Sequence, residues 1–161
     1  LSEKKREEWY VKITNHPELR WATARIAPKV IDTINIAKAA HLGARRVFYK
    51  LAGGEGENAY VLLDGSLHLP DDIAQETIIR GDEKVPLIAA ASIIAKVTRD
   101  RIMVRLHKKI SQYAFDAHKG YGTFLHCRLI RAYGISCAHR LTFCKKFIPH
   151  FSAVSSAPRK D

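Results

Sequence analysis

The stretch KVPLIAAASIIAKVTRDRIMVRLHKK, residues 84–109, decides how this chain is organised. Pro86 suits the first turn of a helix, because the N–H that proline lacks is not needed there. Beyond it, alanine, isoleucine, lysine and arginine continue for about six turns with no glycine or proline to interrupt them. The stretch therefore predicts one long helix.

Asp100 is the unusual residue of this helix. On a helical wheel it lies between an apolar and a polar flank, and a carboxylate beside apolar side chains is costly to desolvate unless a cation or a metal ion faces it. The simple alternative is an ion pair with Lys96, one turn earlier on the same helix. The apolar flank consists of Ile93, Val97 and Val104, and the polar flank of Ser92, Lys96 and Arg99.

The charge balance points to a polyanionic partner. The chain has 161 residues, 47% hydrophobic and 27% charged, which is enough for one globular domain or part of one. Its net charge of +11 favours nucleic acid before an anionic membrane surface. No apolar run approaches the ~20 residues of a membrane span, and no signal peptide is visible, so we expect no membrane association.

The cysteines indicate a reducing environment. Cys127, Cys137 and Cys144 are odd in number and lack CxxC spacing, which favours free thiols in a cytoplasmic protein. Together with His126 and His139 they could be drawn as a zinc site. No pair has the close spacing of a structural zinc finger, so zinc is the weaker interpretation.

The remaining segments of the chain predict further helices and strands. Ser2 is a suitable N-cap for the first helix, and Gly134 a suitable stop for the last. The glycine-rich residues 53–58 lack the ending of a phosphate-binding loop and predict only a turn. The predicted helices are residues 3–13, 30–51 and 124–133, and the predicted strands are 19–27, 59–63 and 76–80.

Asp64 follows the most apolar of these strands. The run AYVLL, residues 59–63, is typical of a buried strand in a parallel sheet. Sites in open α/β sheets lie beyond the carboxyl ends of the strands, which is where Asp64 falls. The alternative is that Asp64 and Gly65 only turn the chain.

Tyr121 lies in the sequence HKGYGT, residues 118–123. Two glycines flank the tyrosine, and His118 and Lys119 precede it, which predicts a flexible loop that presents an aromatic ring in a basic setting. Such a ring suits stacking on a sugar or base while cations meet the phosphates. A plain surface turn with a half-buried tyrosine is the alternative.

Taken together, these motifs resemble the ribonuclease HII family, the bacterial type 2 ribonucleases H. The resemblance covers residues 1–147, and its specificity lies in the combination and order of short motifs. Thr142 stands where the family more often has serine, and it keeps the hydroxyl. The matching segments are LSEKKREEWY, IDTINIAKAAHLGARR, LLDG, GDEKVPLIAAASIIAKVTRDR, HKGYGT and HRLTF.

The resemblance implies a ribonuclease H-like α/β fold, with a mixed sheet flanked by helices, and a metal-dependent endonuclease. Such an enzyme cuts the RNA strand of RNA–DNA hybrids and single ribonucleotides within duplex DNA, with two Mg²⁺ or Mn²⁺ ions on four carboxylates. Asp64 and Asp100 match two of these carboxylates, and Tyr121 matches the tyrosine that stacks near the scissile ribose. Our own candidates for backbone phosphate contacts are Lys96, Arg99 and Lys119.

The sequence also departs from the family. The other two carboxylates belong to an Asp-Glu-x-Gly-Arg-Gly motif on the first strand, which is absent here. Without the first two strands, two buried strand edges would keep unpaired polar groups that cost about 1–3 kcal/mol each. We therefore expect residues 1–147 to be a catalytic domain that is incomplete at its N-terminus and inactive alone.

Residues 148–161 are rich in serine, alanine and proline and predict a disordered tail. The family often places a sliding-clamp contact in such a tail, but we find no convincing motif in this one, and we expect a monomer. The alternative function is a non-catalytic remnant that binds nucleic acid through its basic face. A surface for association with ribosomes or RNA is a third possibility with no motif behind it.

Overall fold

The computed structural model describes residues 1–53 and 59–147, with the side chain of Lys146 excepted. Within them the protein is mostly helical, with a small parallel sheet, and this supports the predicted α/β class. The predicted disordered tail and most of the predicted glycine-rich turn lie outside the described residues. The elements are α1 (Glu3–Thr14), α2 (Pro28–Ile34), α3 (Ile36–Ala52), β1 (Val61–Asp64), β2 (Gln75–Ile78), α4 (Gly81–Lys84), α5 (Pro86–His107), α6 (Phe115–His118), α7 (Phe124–Tyr133) and α8 (Leu141–Cys144), with 3₁₀ turns at Ser111–Tyr113 and Lys145–Phe147.

The long helix predicted from residues 84–109 is confirmed as α5. It begins at Pro86, as the missing N–H of proline allows, and runs without interruption to His107. Ile94 and Val97 are among its buried residues, and Asp100 is buried with them. The helix α1 packs along α5, where Glu7 pairs with Arg101.

The sheet joins β1 and β2 in parallel, with Asp64 opposite Ile78. Both strands were predicted to within two residues at each end. The connection between them is held by the side chain of Gln75, whose Oε1 accepts from the N–H of Leu69 at 2.8 Å and whose Nε2 donates to the Leu69 carbonyl at 3.0 Å. Leu69 is thereby fixed in the core, where it is 2% exposed.

The predicted strand at residues 19–27 is wrong, because this segment is irregular. A strand needs a neighbour to complete its hydrogen bonds, and in the described part of the chain the only strand pair is β1 with β2. Side chains of the segment and of α3 make the contacts instead. Lys50 Nζ donates to the Thr23 carbonyl at 2.9 Å, and Arg20 Nη2 donates to the Leu51 carbonyl at 3.2 Å.

The helix predicted at residues 30–51 is divided into α2 and α3 at Asn35. This residue has φ 67° and ψ 170°, a backbone conformation that ends one helix and turns the chain. Its side-chain oxygen then accepts from the N–H of Lys38 at 3.0 Å, so Asn35 caps the start of α3. Pro28 begins α2, in the first turn where its missing N–H is not needed.

The other predicted helices are confirmed, and α8 was not foreseen. Ser2 caps α1, and α7 ends at Gly134 with φ 78°. The short α8 is capped from far along the chain by Asp32 of α2. The Asp32 carboxylate accepts from the N–H of Leu141 at 2.7 Å, and from the N–H and hydroxyl of Thr142 at 2.9 and 2.6 Å. Desolvation opposes ionisation of Asp32, but these hydrogen bonds outweigh it and lower the pKa of the carboxyl.

Candidate active site

Asp64 lies at the carboxyl end of β1, and a backbone N–H fixes one of its oxygens. Its Oδ1 accepts from the N–H of Gly81 at 2.7 Å. Gly81 is buried, and a Cβ at this position would lie 3.3 Å from Asp64 Oδ1 and 2.6 Å from Ile88 Cδ1. The absence of a side chain at Gly81 therefore allows the start of α4 to approach Asp64 closely.

Asp100 lies on α5 and is 8% exposed. Its Oδ2 is 3.3 Å from Arg6 Nη2 of α1, and Arg6 also donates through Nη1 to the Leu1 carbonyl at 2.8 Å. The cation that meets Asp100 is therefore Arg6, and the alternative of an intrahelical pair with Lys96 does not describe this structure. A buried carboxylate paired in this way avoids part of its desolvation cost.

Lys96 connects the surroundings of the two aspartates. Its Nζ lies 3.9 Å from Asp82 Oδ2, and its side chain is 53% exposed. Asp82 directly follows Gly81, which binds Asp64, while Lys96 precedes Asp100 by one helical turn. These contacts place the carboxyl end of β1 beside α5. That Asp64 and Asp100 share a metal ion stays a prediction.

The donor chemistry of the two aspartates suits a hard divalent cation, since Mg²⁺ and Mn²⁺ prefer carboxylate oxygens. Across residues 1–53 and 59–147, no three histidine, cysteine, aspartate or glutamate side chains form a group that could hold a metal ion. Two aspartates alone leave most of the coordination sphere to other ligands. The zinc site of cysteines and histidines, which the sequence offered as the weaker interpretation, likewise finds no support within these ranges.

Three of the predicted substrate-binding residues lie together. Arg99 of α5 places its guanidinium carbon 4.2 Å from the centroid of the Tyr121 ring, and its Nη2 donates to the Lys119 carbonyl at 3.0 Å. The Tyr121 residue is 54% exposed. Lys119 Nζ lies 3.5 Å from Glu3 Oε1, and its side chain is 15% exposed. Lys96 is not part of this group, because it meets Asp82.

The HKGYGT loop is held more firmly than its two glycines suggest. Lys119 and Gly120 have φ 50° and 77°, and a Cβ on Gly120 would lie 3.0 Å from Met103 Cε of α5. The N–H of Gly120 donates to His118 Nδ1 at 3.1 Å, and the N–H of Tyr121 donates to the His118 carbonyl at 2.9 Å. The loop therefore presents the Tyr121 ring from a hydrogen-bonded backbone.

A cluster of three buried histidines, His118, His126 and His139, lies behind this loop. The rings of His118 and His126 stack with centroids 4.1 Å apart, and Nε2 of His126 lies 3.2 Å from Nε2 of His139. Sequence reasoning considered His126 and His139 only as zinc ligands. The histidine in each of the HKGYGT and HRLTF motifs was the available signal, but only the fold shows that the rings meet.

The hydrogen bonds determine which ring nitrogens carry protons. His126 Nδ1 is 2.9 Å from the Tyr121 carbonyl and must donate to it, so Nε2 of neutral His126 is an acceptor. His139 therefore donates from Nε2, and its Nδ1 accepts from the N–H and hydroxyl of Ser136 at 3.1 and 2.8 Å. The chain of bonds from Ser136 to the Tyr121 carbonyl is complete only when both histidines are neutral.

The electrostatics keep the pair neutral. Burial, together with a smaller contribution from the nearby His126, lowers the pKa of His139 to about 4. Burial also lowers the pKa of His126, although the bond to the Tyr121 carbonyl partly opposes this change. Both rings are therefore uncharged at neutral pH, as their hydrogen bonds require.

Two further findings bear on the surroundings of the protein. Cys127, Cys137 and Cys144 are free thiols, and burial raises the pKa of Cys144. None of the helices in the described part of the chain has both the length and the apolar character of a membrane-spanning segment.

The fold and site define a class, an α/β protein that arranges two aspartates and a basic aromatic loop around one long helix. Comparison with protein families then gives the particular one. The family model described as Ribonuclease HII matches residues 1–147, and the chain belongs to this family. The predicted resemblance is confirmed, as is the enzyme class at the level of the family, which is one of ribonucleases.

Curated relatives agree. The chain is 42% identical over 144 residues to "Ribonuclease HII" of Polynucleobacter asymbioticus, covering 89% of this chain and 73% of that protein. It is 42% identical over 118 residues to "Ribonuclease HII" of Desulfotalea psychrophila, covering 73% of this chain and 52% of the relative. It is 42% identical over 156 residues to the protein of the same name from Coxiella burnetii RSA 493, covering 92% of this chain and 74% of that protein. The chain thus spans between about half and three quarters of these relatives.

Proposed function

We propose that this chain contributes to an endonuclease that hydrolyses the RNA strand of RNA–DNA hybrids and single ribonucleotides within duplex DNA. Membership of the ribonuclease HII family supports this proposal, and the net charge of +11 suits a nucleic-acid substrate. The observation that carries it is the position of Asp64, bound to Gly81 at the carboxyl end of β1 beside the helix that bears buried Asp100.

Asp64 and Asp100 are the proposed metal ligands, for Mg²⁺ or Mn²⁺. When bound, a pair of divalent ions promotes deprotonation of the attacking water and stabilises the leaving oxygen of the phosphodiester. The Gly81 N–H orients Asp64 by holding one oxygen and leaving the other for a ligand. Arg6 compensates the charge of Asp100, so a cation at this carboxylate has to compete with Arg6.

The substrate is proposed to pass over Tyr121. Its exposed ring suits stacking beside the ribose, and RNA is distinguished from DNA by contacts to the 2′-hydroxyl. The proposed sources of positive charge near the backbone phosphates are Lys96 and Lys119. Arg99, the third candidate from the sequence, is engaged by the Tyr121 ring and the Lys119 carbonyl. Lys96, with about half of its side chain exposed, is the most accessible lysine of the set.

We further propose that the chain supplies half of the metal site and an incomplete sheet. The family's Asp-Glu-x-Gly-Arg-Gly motif is absent from the 161 residues, and Asp64 and Asp100 match only two of four carboxylates. The unpaired segment at residues 19–27 is consistent with a sheet that lacks its first two strands. Residues 1–147 would then act as part of one monomeric, cytoplasmic catalytic domain.

A cleavage assay tests both proposals. The substrate is a DNA duplex with one ribonucleotide, incubated with Mg²⁺ or Mn²⁺ and either this chain or the chain extended by an N-terminal strand that carries the missing motif. We expect no cleavage by the chain alone and cleavage by the extended protein that is lost in Asp64→Asn. Asp71→Asn, at a side chain that is 96% exposed, is the matched control.

Two results would contradict these proposals. Asp64-dependent cleavage by the chain alone would show that the half-site proposal is wrong. A folded, extended protein without cleavage would instead count against the endonuclease.

The second candidate function is non-catalytic binding of nucleic acid through the basic face. The net charge of +11, together with the absence of the strand motif, favours it for the chain as it stands. Binding of this kind should weaken steeply with salt, because phosphate contacts release counterions, and it should persist in Asp64→Asn. Fluorescence anisotropy with a labelled duplex at several salt concentrations measures both properties.

A further inference from the structure

Arg99 has a contact pattern that is unusual for a phosphate-binding residue. Its guanidinium lies over the Tyr121 ring at 4.2 Å, and one of its nitrogens is engaged by the Lys119 carbonyl at 3.0 Å. We propose that Arg99 is a positioning residue, which acts on the substrate through Tyr121. This inference rests on the proposed function of Tyr121 as the ring that meets the ribonucleotide.

The loop backbone alone does not set the direction of the ring. Hydrogen bonds from His126 and from the N–H of Thr123 hold the Tyr121 carbonyl, and His118 holds its N–H. These bonds place the Cα of Tyr121 but leave the side-chain torsions free. Among the described residues, the guanidinium of Arg99, which lies over the ring, is the contact that limits those torsions.

The long helix supports the loop at two successive positions. Arg99 and Met103 are four residues apart on α5 and therefore lie on one face. Met103 lies against Gly120. Arg99 contacts the residues on either side of Gly120, through the Lys119 carbonyl and the Tyr121 ring. Because α5 also carries Asp100, the position of the ring is tied to the helix that bears the metal-ligand candidate.

The shape of arginine matters as well as its charge. A planar guanidinium stacks on an aromatic face and donates to a carbonyl in its own plane at the same time, whereas a lysine ammonium lacks the planar surface. With one ring face covered by Arg99, Tyr121 offers the opposite face to a ribose or base. A positioning role thus depends on the planar group, while a phosphate contact depends mainly on positive charge.

Substitutions on either side of the stack separate these roles. The variants are Arg99→Lys, Arg99→Ala, Tyr121→Leu and the double variant that combines Arg99→Ala with Tyr121→Leu. Arg105→Lys, elsewhere on α5, is the matched control. Affinity is measured by anisotropy with a fluorescein-labelled DNA duplex carrying one ribonucleotide. We expect Arg99→Lys and Arg99→Ala each to lose about tenfold, the scale of one stacking contact.

In the Tyr121→Leu background, we expect Arg99→Ala to change affinity by less than about twofold, since the residue through which it acts is gone. If Arg99→Lys keeps its affinity, or if the Arg99 and Tyr121 effects simply add, Arg99 is a phosphate contact and the inference is wrong. Circular dichroism melting checks that each variant is folded.

A measurement without nucleic acid separates this inference from the proposed function. Ring ¹³C–¹H resonances of Tyr121 are recorded by NMR in the free protein. We expect Arg99→Lys to move the Tyr121 chemical shifts toward those of a ring that samples several orientations, and Arg105→Lys to leave them unchanged. A changed ring in a protein that binds no duplex would leave the positioning role intact while contradicting the proposed function. An unchanged ring would overturn the positioning role.

Discussion

Acidification should destabilise this protein through His139, beginning above the pH at which carboxylates titrate. The ring is buried, 6% exposed, and burial lowers its pKa from 6.5 to about 4. Between these values the unfolded chain binds a proton at His139 and the folded protein does not. The contribution of His139 to the free energy of unfolding is therefore fully present above about pH 6.5 and is lost as the pH drops toward 4.

The magnitude follows from the pKa difference. A difference of about 2.5, at about 1.4 kcal/mol per pKa unit, amounts to about 3 kcal/mol once the pH reaches 4. About 2 kcal/mol of this is already lost near pH 5. His126 contributes in the same direction, because its pKa is also lowered. Asp32 does not interfere, because its pKa lies below 3.8 and its contribution is lost only at lower pH.

Urea denaturation at several pH values between about 4.5 and 7.5 measures the effect. His139→Gln keeps a donor toward His126 but does not titrate, so its unfolding free energy should depend less on pH than that of the wild type. His16→Gln, at an exposed histidine, should keep the wild-type slope. Equal slopes in the wild type and His139→Gln would refute the reasoning, as would a loss of stability above pH 6.5.

Three further predictions concern stability and are checked by denaturation. Gly81→Ala should lower the free energy of unfolding by about 1–3 kcal/mol, because its Cβ would lie 2.6 Å from Ile88 Cδ1. Gly43→Ala in α3 has ordinary contacts and should be neutral or stabilising. Equal changes in stability for the two variants would contradict this. Asp32→Ala removes the cap of α8 and should cost about 1–2 kcal/mol; an unchanged midpoint would show that the cap contributes little. Asn35→Gly should cost a few tenths of a kcal/mol and Asn35→Ala about 1 kcal/mol or more, because φ is 67°; the reverse order would be inconsistent with the backbone argument.

The elements predicted correctly are those whose signal is local. Helix α5 follows from an uninterrupted run of helix-forming residues after Pro86, and β1 from an apolar run closed by Asp64. The division at Asn35 was missed because one residue with positive φ overrides a helical pattern that continues on both sides. The segment at residues 19–27 has the composition of a strand, but a strand also requires a partner.

The candidate site was predictable in its residue types and not in its contacts. Asp64, Asp100 and Tyr121 were found from their positions in motifs. The partner of Asp100 is Arg6, which lies 94 residues away in the sequence, and packing alone brings it there. The histidine pair likewise depends on the approach of α7 and the segment before α8. Contacts of this kind leave no periodicity for sequence reasoning to detect.

The cap of α8 by Asp32 has a consequence for folding order. Asp32 and Leu141 are 109 positions apart in the sequence. A helix of four residues, such as α8, does not form alone in water. Helix α8 should therefore arise late, once the N-terminal and C-terminal regions have met, and such distant closures are slow. A synthetic peptide of residues 134–147 should show no helical signal by circular dichroism.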